Sequence, residues 1–534
     1  MTIQELQKLY ARLPQVAQLA KMLEEGKAET ICLDGLLASS APMVFSGLAM
    51  KASQAILFIM QDADEAGYFY HDLCQVMGDS QVLFFPSSYR RAIKYGQKDA
   101  ANEILRTEVL TRLQSLSRPL PVGKGVDTSS DNKSNYSPPS QGEGGGGPLG
   151  ILFIVSYSEA IAEQVVTRKS LDDRTLSLTV DETVSVDDVC QTLRDYGFHE
   201  VDYVYEPGQF ALRGSILDVY SFSCEYPFRV DFFGDDIDSI RTFDVENQLS
   251  RERRDHIDIV PELTVSEDKE SLFTFLPPQT VLVAKDFGFV RDSVERAWQE
   301  GFSSQALTER LENATEVEEY QIRQEMHRDS QIISGAMFET DSEPFRKVIL
   351  ASPSGRRLEG ASLSFSTSPQ PLFHKNFDLL AKTFEDYLLK GYKLYVLADS
   401  QKQIDRLKDI FSEKSGLAFE GIDHTLHEGY IDHDLRCCFF TDHQIFDRFH
   451  KYNLKSDKAR GGKMALTLKE IQQFELGDFV VHIDHGVGKF GGLVRMPINA
   501  GGAGGGSGGF QEMIKIIYQR GDAIYVSIHS LYKV

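Results

Sequence analysis

The chain has 534 residues, with 56 Lys and Arg against 79 Asp and Glu, so its formal charge is −23 at pH 7, and 42% of it is hydrophobic. That length exceeds what one core usually serves and predicts several domains, while the acidic balance argues against a general nucleic-acid binder and for protein partners. Six cysteines without a C-x-x-C pair exclude a disulfide scaffold, a ribbon-type zinc site and a redox motif, and a polar N-terminus with no apolar run near a membrane span predicts a soluble cytoplasmic protein.

From Thr30 onward, short apolar runs alternate with helical periodicity. Ile31-Cys32-Leu33, Ala55–Ile59 and Val82–Pro86 read as buried strands, and Leu105, Val109 and Leu113 mark one helix face. The alternation predicts a parallel α/β sheet over 1–177. It resumes at Ile151–Val155, so Pro119 to Leu149, rich in Gly, Ser, Pro and Asn, is expected to be a disordered low-complexity insertion within that domain.

Between 178 and 259 the signal changes to hairpins. Phe228–Phe233 and Ile237–Phe243 are β-rich and joined by the turn chemistry of Gly234-Asp235-Asp236, which predicts an inserted α+β module. Phe228, Val230 and Phe232 should face one side, with Arg229 and Asp231 on a solvated outer face. The parallel-sheet domain then returns over 260–371, with the acidic run Glu316 to Glu325 as a solvated helix face.

A second, small α/β domain is expected over 372–450, from the strand Leu394–Leu397 and the amphipathic helix Gln403–Phe411. A basic linker, 451–469, carries Lys455, Lys458, Arg460 and Lys463. The last segment, 470–534, reads as a small β-barrel with strands Asp478–His482, Met513–Tyr518 and Ala523–Ser527 and a flexible glycine tract at Asn499–Gly509.

The place where a nucleotide-binding sheet carries its phosphate loop reads Gly35-Leu36-Leu37-Ala38-Ser39-Ser40-Ala41-Pro42. Against G-x-x-x-x-G-K-[ST], Ser40 replaces the second Gly, Ala41 the Lys and Pro42 the Ser/Thr, so nothing remains to neutralise a triphosphate or hold magnesium. This predicts a degenerate loop that does not hydrolyse ATP. Gly486-Val487-Gly488-Lys489 reads as a hairpin turn instead of a second phosphate loop. His482, Asp484 and His485 have ligand-like identities, but no fourth ligand is visible, and a polar barrel face explains them better than a metal site. No catalytic residue and no metal site are predicted.

Two signatures carry a resemblance. Arg213–Tyr220 followed by Phe228–Asp244 resembles the UvrA-binding module shared by UvrB and the bacterial transcription-repair coupling factors (Mfd). Leu476-Gly477-Asp478-Phe479-Val480-Val481-His482-Ile483-Asp484-His485-Gly486-Val487-Gly488-Lys489 resembles the RNA-polymerase-interacting domain of the same family, which is also found in CarD-type regulators. The two in this order are specific to the coupling factors. The resemblance implies a multidomain α/β fold: a UvrB-like parallel-sheet domain with a degenerate phosphate loop, an inserted α+β UvrA-binding module, a second small α/β domain and a C-terminal SH3/Tudor-like β-barrel.

The implied partners are UvrA, through Arg213, Tyr220, Arg229 and Asp231, and the RNA polymerase β subunit. For polymerase the resemblance points to the strand Met513–Ile517, with Met513, Ile514, Ile516 and Ile517 placed to pair edge-to-edge. Glu200 and Ala211 stand where UvrB has arginines. Family members continue into two motor domains, which hold the ATP and magnesium, and a C-terminal domain that masks the UvrA-binding surface. This sequence stops at Val534, so it is expected to be a fragment, a truncated product or half of a split factor, an adaptor that meets DNA only through an absent motor. The competing readings are an ATP-dependent translocase subunit whose motor lies on that absent half, and a CarD-like transcription regulator.

Overall fold

The computed structural model describes residues 2–26, 30–89, 92–96, 98–117, 152–245, 248–263, 268–311, 314, 319–320, 322–323, 326–351, 361–411, 418–452, 477–482, 486–497, 510–518 and 522–527. The expected insertion at 119–149, nearly all of the basic linker, and Asp484 and His485 lie outside them. The chain divides into two compact units, one of residues 1–176 with 260–454 and one of 177–259 with 455–534.

The first unit is built on a seven-stranded sheet in the order 361–364, 30–34, 346–351, 281–284, 56–60, 153–157, 82–85. Every neighbouring pair runs parallel. Four of its strands, Ile56–Met60, Val82–Phe85, Phe153–Tyr157 and Val281–Ala284, are buried at every position. Helices cover both faces of such a sheet, so these strands are continuous apolar runs without alternation. Residues 177–259 are spliced in after Val165–Val166, which pairs antiparallel with Lys269–Glu270 where the chain returns.

A five-stranded mixed sheet follows in the same unit, ordered 367–369, 430–432, 437–441, 393–397, 420–422. Helices Phe377–Leu389 and Gln401–Phe411 accompany it. One apolar cluster contains Phe58 and Phe153 of the first sheet together with Tyr395, Tyr430 and Phe439 of the second. A polar tie crosses that core: the Tyr10 hydroxyl lies 2.6 Å from that of Tyr430 and donates 2.9 Å to Asp432. The two sheets are therefore held as one body.

The second unit contains a six-stranded sheet, ordered 250–254, 236–243, 228–233, 216–219, 209–213, 199–200. The hairpin joining Phe228–Phe233 to Asp236–Phe243 turns on Gly234 at φ +67°, a left-handed conformation that glycine adopts without strain. The unit's other sheet has four antiparallel strands in chain order, Phe479–His482, Gly486–Pro497, Phe510–Ile517 and Ala523–Ser527. Its core is Val480, Phe490, Ile514, Ile516 and Val526.

Candidate functional site

Three features carry the sequence-predicted residues: a charged sheet face, the C-terminal sheet, and a cavity beside the loop Gly35–Pro42. On the six-stranded sheet, Asp218 stands directly opposite Arg229 in the ladder. Its carboxylate is fully buried and accepts from Arg229 Nε at 2.7 Å and Nη2 at 2.9 Å. Arg213 closes a second ion pair on the same carboxylate and donates 3.0 Å to the Asp202 carbonyl. Arg229 also lies over the Phe243 ring at 4.4 Å and donates 3.2 Å to the Gln248 carbonyl. Two residues along the same strand as Arg229, Asp231 pairs with Arg241 of the next strand and accepts from Ser239 at 3.1 Å.

The alternation of Phe228, Val230 and Phe232 inward is as expected, but the outer face is not simply solvated. Arg229 keeps only 15% of its side-chain exposure because a buried carboxylate and an aromatic ring hold it down. Tyr220 is likewise interior, and its hydroxyl donates 2.6 Å to the Glu225 carbonyl. Arg213, at 32%, is the most exposed of the four predicted residues, and Asp231, at 20%, is only slightly more open than Arg229. Glu200 is paired with Arg194 at 2.8 Å, and Ala211 is buried beside Asp218. Asp218 was missed from sequence. The signal for it was an arginine five residues earlier across a Gly-Ser turn, with a second arginine on the next strand.

In the C-terminal sheet the strand Phe510–Ile517 is an inner one, bonded on one side to Gly486–Pro497 and on the other to Ala523–Ser527. The expectation of an exposed edge at Met513–Ile517 is corrected by this: its backbone groups are used on both sides. Ile514 and Ile516 point into the core at 0% exposure, whereas Met513 and Ile517 share the opposite, partly exposed face. Period-two alternation fixes that split.

The loop Gly35–Pro42 borders a cavity of about 1010 Å³ at the carboxyl ends of strands 30–34, 56–60, 281–284 and 346–351. Thr367 pins the loop, its Oγ1 accepting from Leu37 N–H at 3.0 Å and donating 2.7 Å to the Gly35 carbonyl. Gly35 sits at φ +80°, and a Cβ there would lie 2.0 Å from the Phe365 carbonyl oxygen. Gly35→Ala should therefore lose at least ~1–3 kcal/mol of stability, read as a lower melting midpoint of the first unit. Ala41 and Pro42 line the cavity from the first turn of helix Ser40–Ala49, where Pro42 offers no N–H.

Four carboxylates border the cavity, those of Glu65, Asp72, Asp286 and Glu428, against the ammonium of Lys285, which is paired with Glu65. Asp286 also occupies the N-terminus of helix Phe287–Glu300, accepting from Gly288 and Phe289 N–H at 2.8 and 3.2 Å. Such a surround disfavours a polyphosphate electrostatically. Among the described residues, no group of three His, Cys, Asp or Glu is arranged to hold a metal ion, and no helix is long and apolar enough to cross a membrane.

Residues 176–264 match the UvrB interaction domain, and residues 474–534 match the CarD-like/TRCF RID domain. The chain is 23% identical over 571 residues to the transcription-repair-coupling factor of Staphylococcus aureus (strain USA300), covering 95% of this chain and 45% of that protein. The Staphylococcus aureus (strain MRSA252) factor is 24% identical over 445 residues, 71% of this chain and 37% of the relative. The Bacillus subtilis (strain 168) factor is 20% identical over 587 residues, 95% and 45%. The chain thus spans about half the length of the curated relatives it matches.

Proposed function

We propose that this chain, which carries the N-terminal half of the transcription-repair-coupling factor architecture, is a two-ended adaptor that links stalled RNA polymerase to UvrA in nucleotide excision repair. The observation that carries this reading is the pairing of both domain matches in one chain aligned over 95% of its length with those factors. UvrA docks on the module at 178–259, and the polymerase β subunit docks on the SH3/Tudor-like domain at 470–534. Arg213 and Asp231 supply the surface charges for UvrA, while Arg229 and Tyr220 hold the module's shape beneath them. Met513 and Ile517 belong to the exposed side of the polymerase-binding sheet, and Ile514 and Ile516 support it from within.

The chain works in the cytoplasm without a bound nucleotide. Support for this comes from the loop Gly35–Pro42, which lacks the lysine and the hydroxyl of a phosphate cradle, and from the carboxylates around the cavity beside it. DNA is met only indirectly, through motor domains of the kind the resemblance implies.

Pull-down of purified UvrA and of core RNA polymerase by the full chain tests the proposal, with both retained. Polymerase without UvrA would favour a CarD-like regulator. Calorimetric titration with ATP and magnesium should give no binding heat, and clear saturable binding would support the translocase-subunit reading instead.

A further inference from the structure

Four histidines meet at the seam between the two sheets of the first unit. His71 comes from helix Ala63–Met77, which packs on the parallel sheet. His443 belongs to the short helix Asp442–Ile445 after strand 437–441 of the mixed sheet, and His427 and His450 lie in flanking loops. The ring of His450 is central, 4.5 Å from His443 in a stacked pair, 5.2 Å from His71 and 6.3 Å from His427. Tyr68 stacks on His427 at 3.6 Å and donates 3.1 Å to the His450 carbonyl.

The ring nitrogens are poorly satisfied. His71 Nε2 and the Nδ1 atoms of His427, His443 and His450 are buried with no hydrogen-bond partner. His443 is informative because its Nε2 lies 2.9 Å from the His427 carbonyl, which accepts only if that nitrogen carries the proton. The neutral ring then has a bare lone pair at Nδ1, and a second proton there would need an acceptor. The nearest such oxygen among the described residues, Asp442 Oδ1, is 4.0 Å away, beyond hydrogen-bond reach, and is itself without a hydrogen-bond partner, while Oδ2 of the same group pairs with Arg448. Asp399 and Asp79 favour ring protonation from further off, and Arg448 opposes it. Four rings gathered around His450 can therefore stay together while neutral, but several imidazoliums in that space would repel one another, with Asp442 the nearest anion to compensate.

We propose that this cluster is an acid-released latch: protonation parts helix 63–77 from the 423–450 region and opens the cavity that Tyr68, Asp72 and His427 help to line. Burial, reinforced by the neighbouring rings, pushes His71 and His427 down to about 4 and lowers His443 and His450 as well. A ring whose folded value lies below its unfolded one loses stability as pH falls through the ordinary histidine range, because the open state binds more protons. Asp72 works the other way. Burial raises it to about 7 despite the His427 N–H at 2.7 Å, so its protonation favours the closed state as pH falls. Asp442, also raised by burial, acts in the same sense as Asp72.

The opposing titrations partly cancel. Between pH 7.5 and 5.5 each ring lowered to about 4 favours opening by roughly ten-fold, so His71 and His427 together give about a hundred-fold, and Asp72 offsets about twenty-five-fold of it. The net expectation is a few-fold in favour of opening, with His443 and His450 adding to it and Asp442 subtracting.

Hydrogen exchange of the full chain at the two pH values, expressed as protection factors, reads this directly. Residues 63–77 and 423–450 should lose protection at pH 5.5 a few-fold more than the strands of the parallel sheet. Asp72→Asn should enlarge the response, and the double variant His71→Phe/His427→Phe should abolish or reverse it. An unchanged acid response in the double variant, or no local response in the parent, overturns the latch. NMR titration of the parent provides a check that needs no variant: the four rings should titrate below the ordinary histidine value, and four values near 6.5 overturn the proposal. Stabilisation of the seam by added Zn²⁺ at pH 7.5, lost in the double variant, would make the occupant a metal and also overturn it.

Discussion

Asp218→Ala should destabilise the module at 177–259 by about 3–5 kcal/mol, because it removes the shared partner of two arginines and leaves the Arg229 guanidinium buried without compensation. Arg229→Ala should cost less, since Arg213 still neutralises the buried carboxylate. Replacing Asp218 and Arg229 together with leucines should recover part of the loss, because a buried ion pair exchanged for apolar packing leaves no uncompensated charge between them. Hydrogen exchange over 209–233 reads all three, beside UvrA binding of each variant. Native stability in Asp218→Ala would mean that the pair contributes nothing to the module. A loss of UvrA binding in Arg229→Ala that scales with the loss of protection would assign Arg229 to support, whereas binding lost with full protection would assign it to contact.

The second large effect belongs to the C-terminal sheet. Ile516→Arg puts a guanidinium where the side chain has no exposure, among Val480, Phe490 and Val526. The cost is about 4 kcal/mol or more, enough to melt a small sheet. Met513→Arg, on the partly exposed face, should leave the sheet folded. Circular dichroism and polymerase pull-down on both variants separate the roles: Ile516→Arg should lose structure and binding together, and Met513→Arg should lose binding alone. A folded Ile516→Arg variant would disprove the core assignment.

Local signals in the sequence went far. The runs at 31–33, 55–59, 82–86 and 151–155 became strands of one parallel sheet, and the helix expected over 403–411 spans Gln401–Phe411. The Gly234 hairpin was legible because its turn chemistry is local. What a single sequence could not give was partnership at a distance. Asp218 reads as one more acidic residue until the strand carrying Arg229 lies beside it. The residues Gln519-Arg520-Gly521-Asp522 read as a tight turn that makes the pairing of strand 510–517 with Ala523–Ser527 local, but its second pairing, with Gly486–Pro497, joins segments separated by the glycine tract, and that one makes it an inner strand. The histidine cluster draws on residues 71, 427, 443 and 450, so its members are scattered along the chain and converge only through the shared core of the two sheets.

The order of strands in the parallel sheet also sets a timetable for synthesis. Thr30–Asp34 is made early, yet both of its neighbours, 346–351 and 361–364, are translated roughly 310 residues later. At about 5–20 residues per second the nascent strand waits on the order of 15–60 s with its two ladder edges open. During that wait Ile31 and Leu33, fully buried in the finished sheet, have no partner strand to cover them. The inserted module has emerged by then, so it can fold on the ribosome while the sheet that carries it is still incomplete. Ribosome-bound chains halted before residue 346 should therefore be the species that chaperones hold, and chains halted well after residue 364 should be released from them.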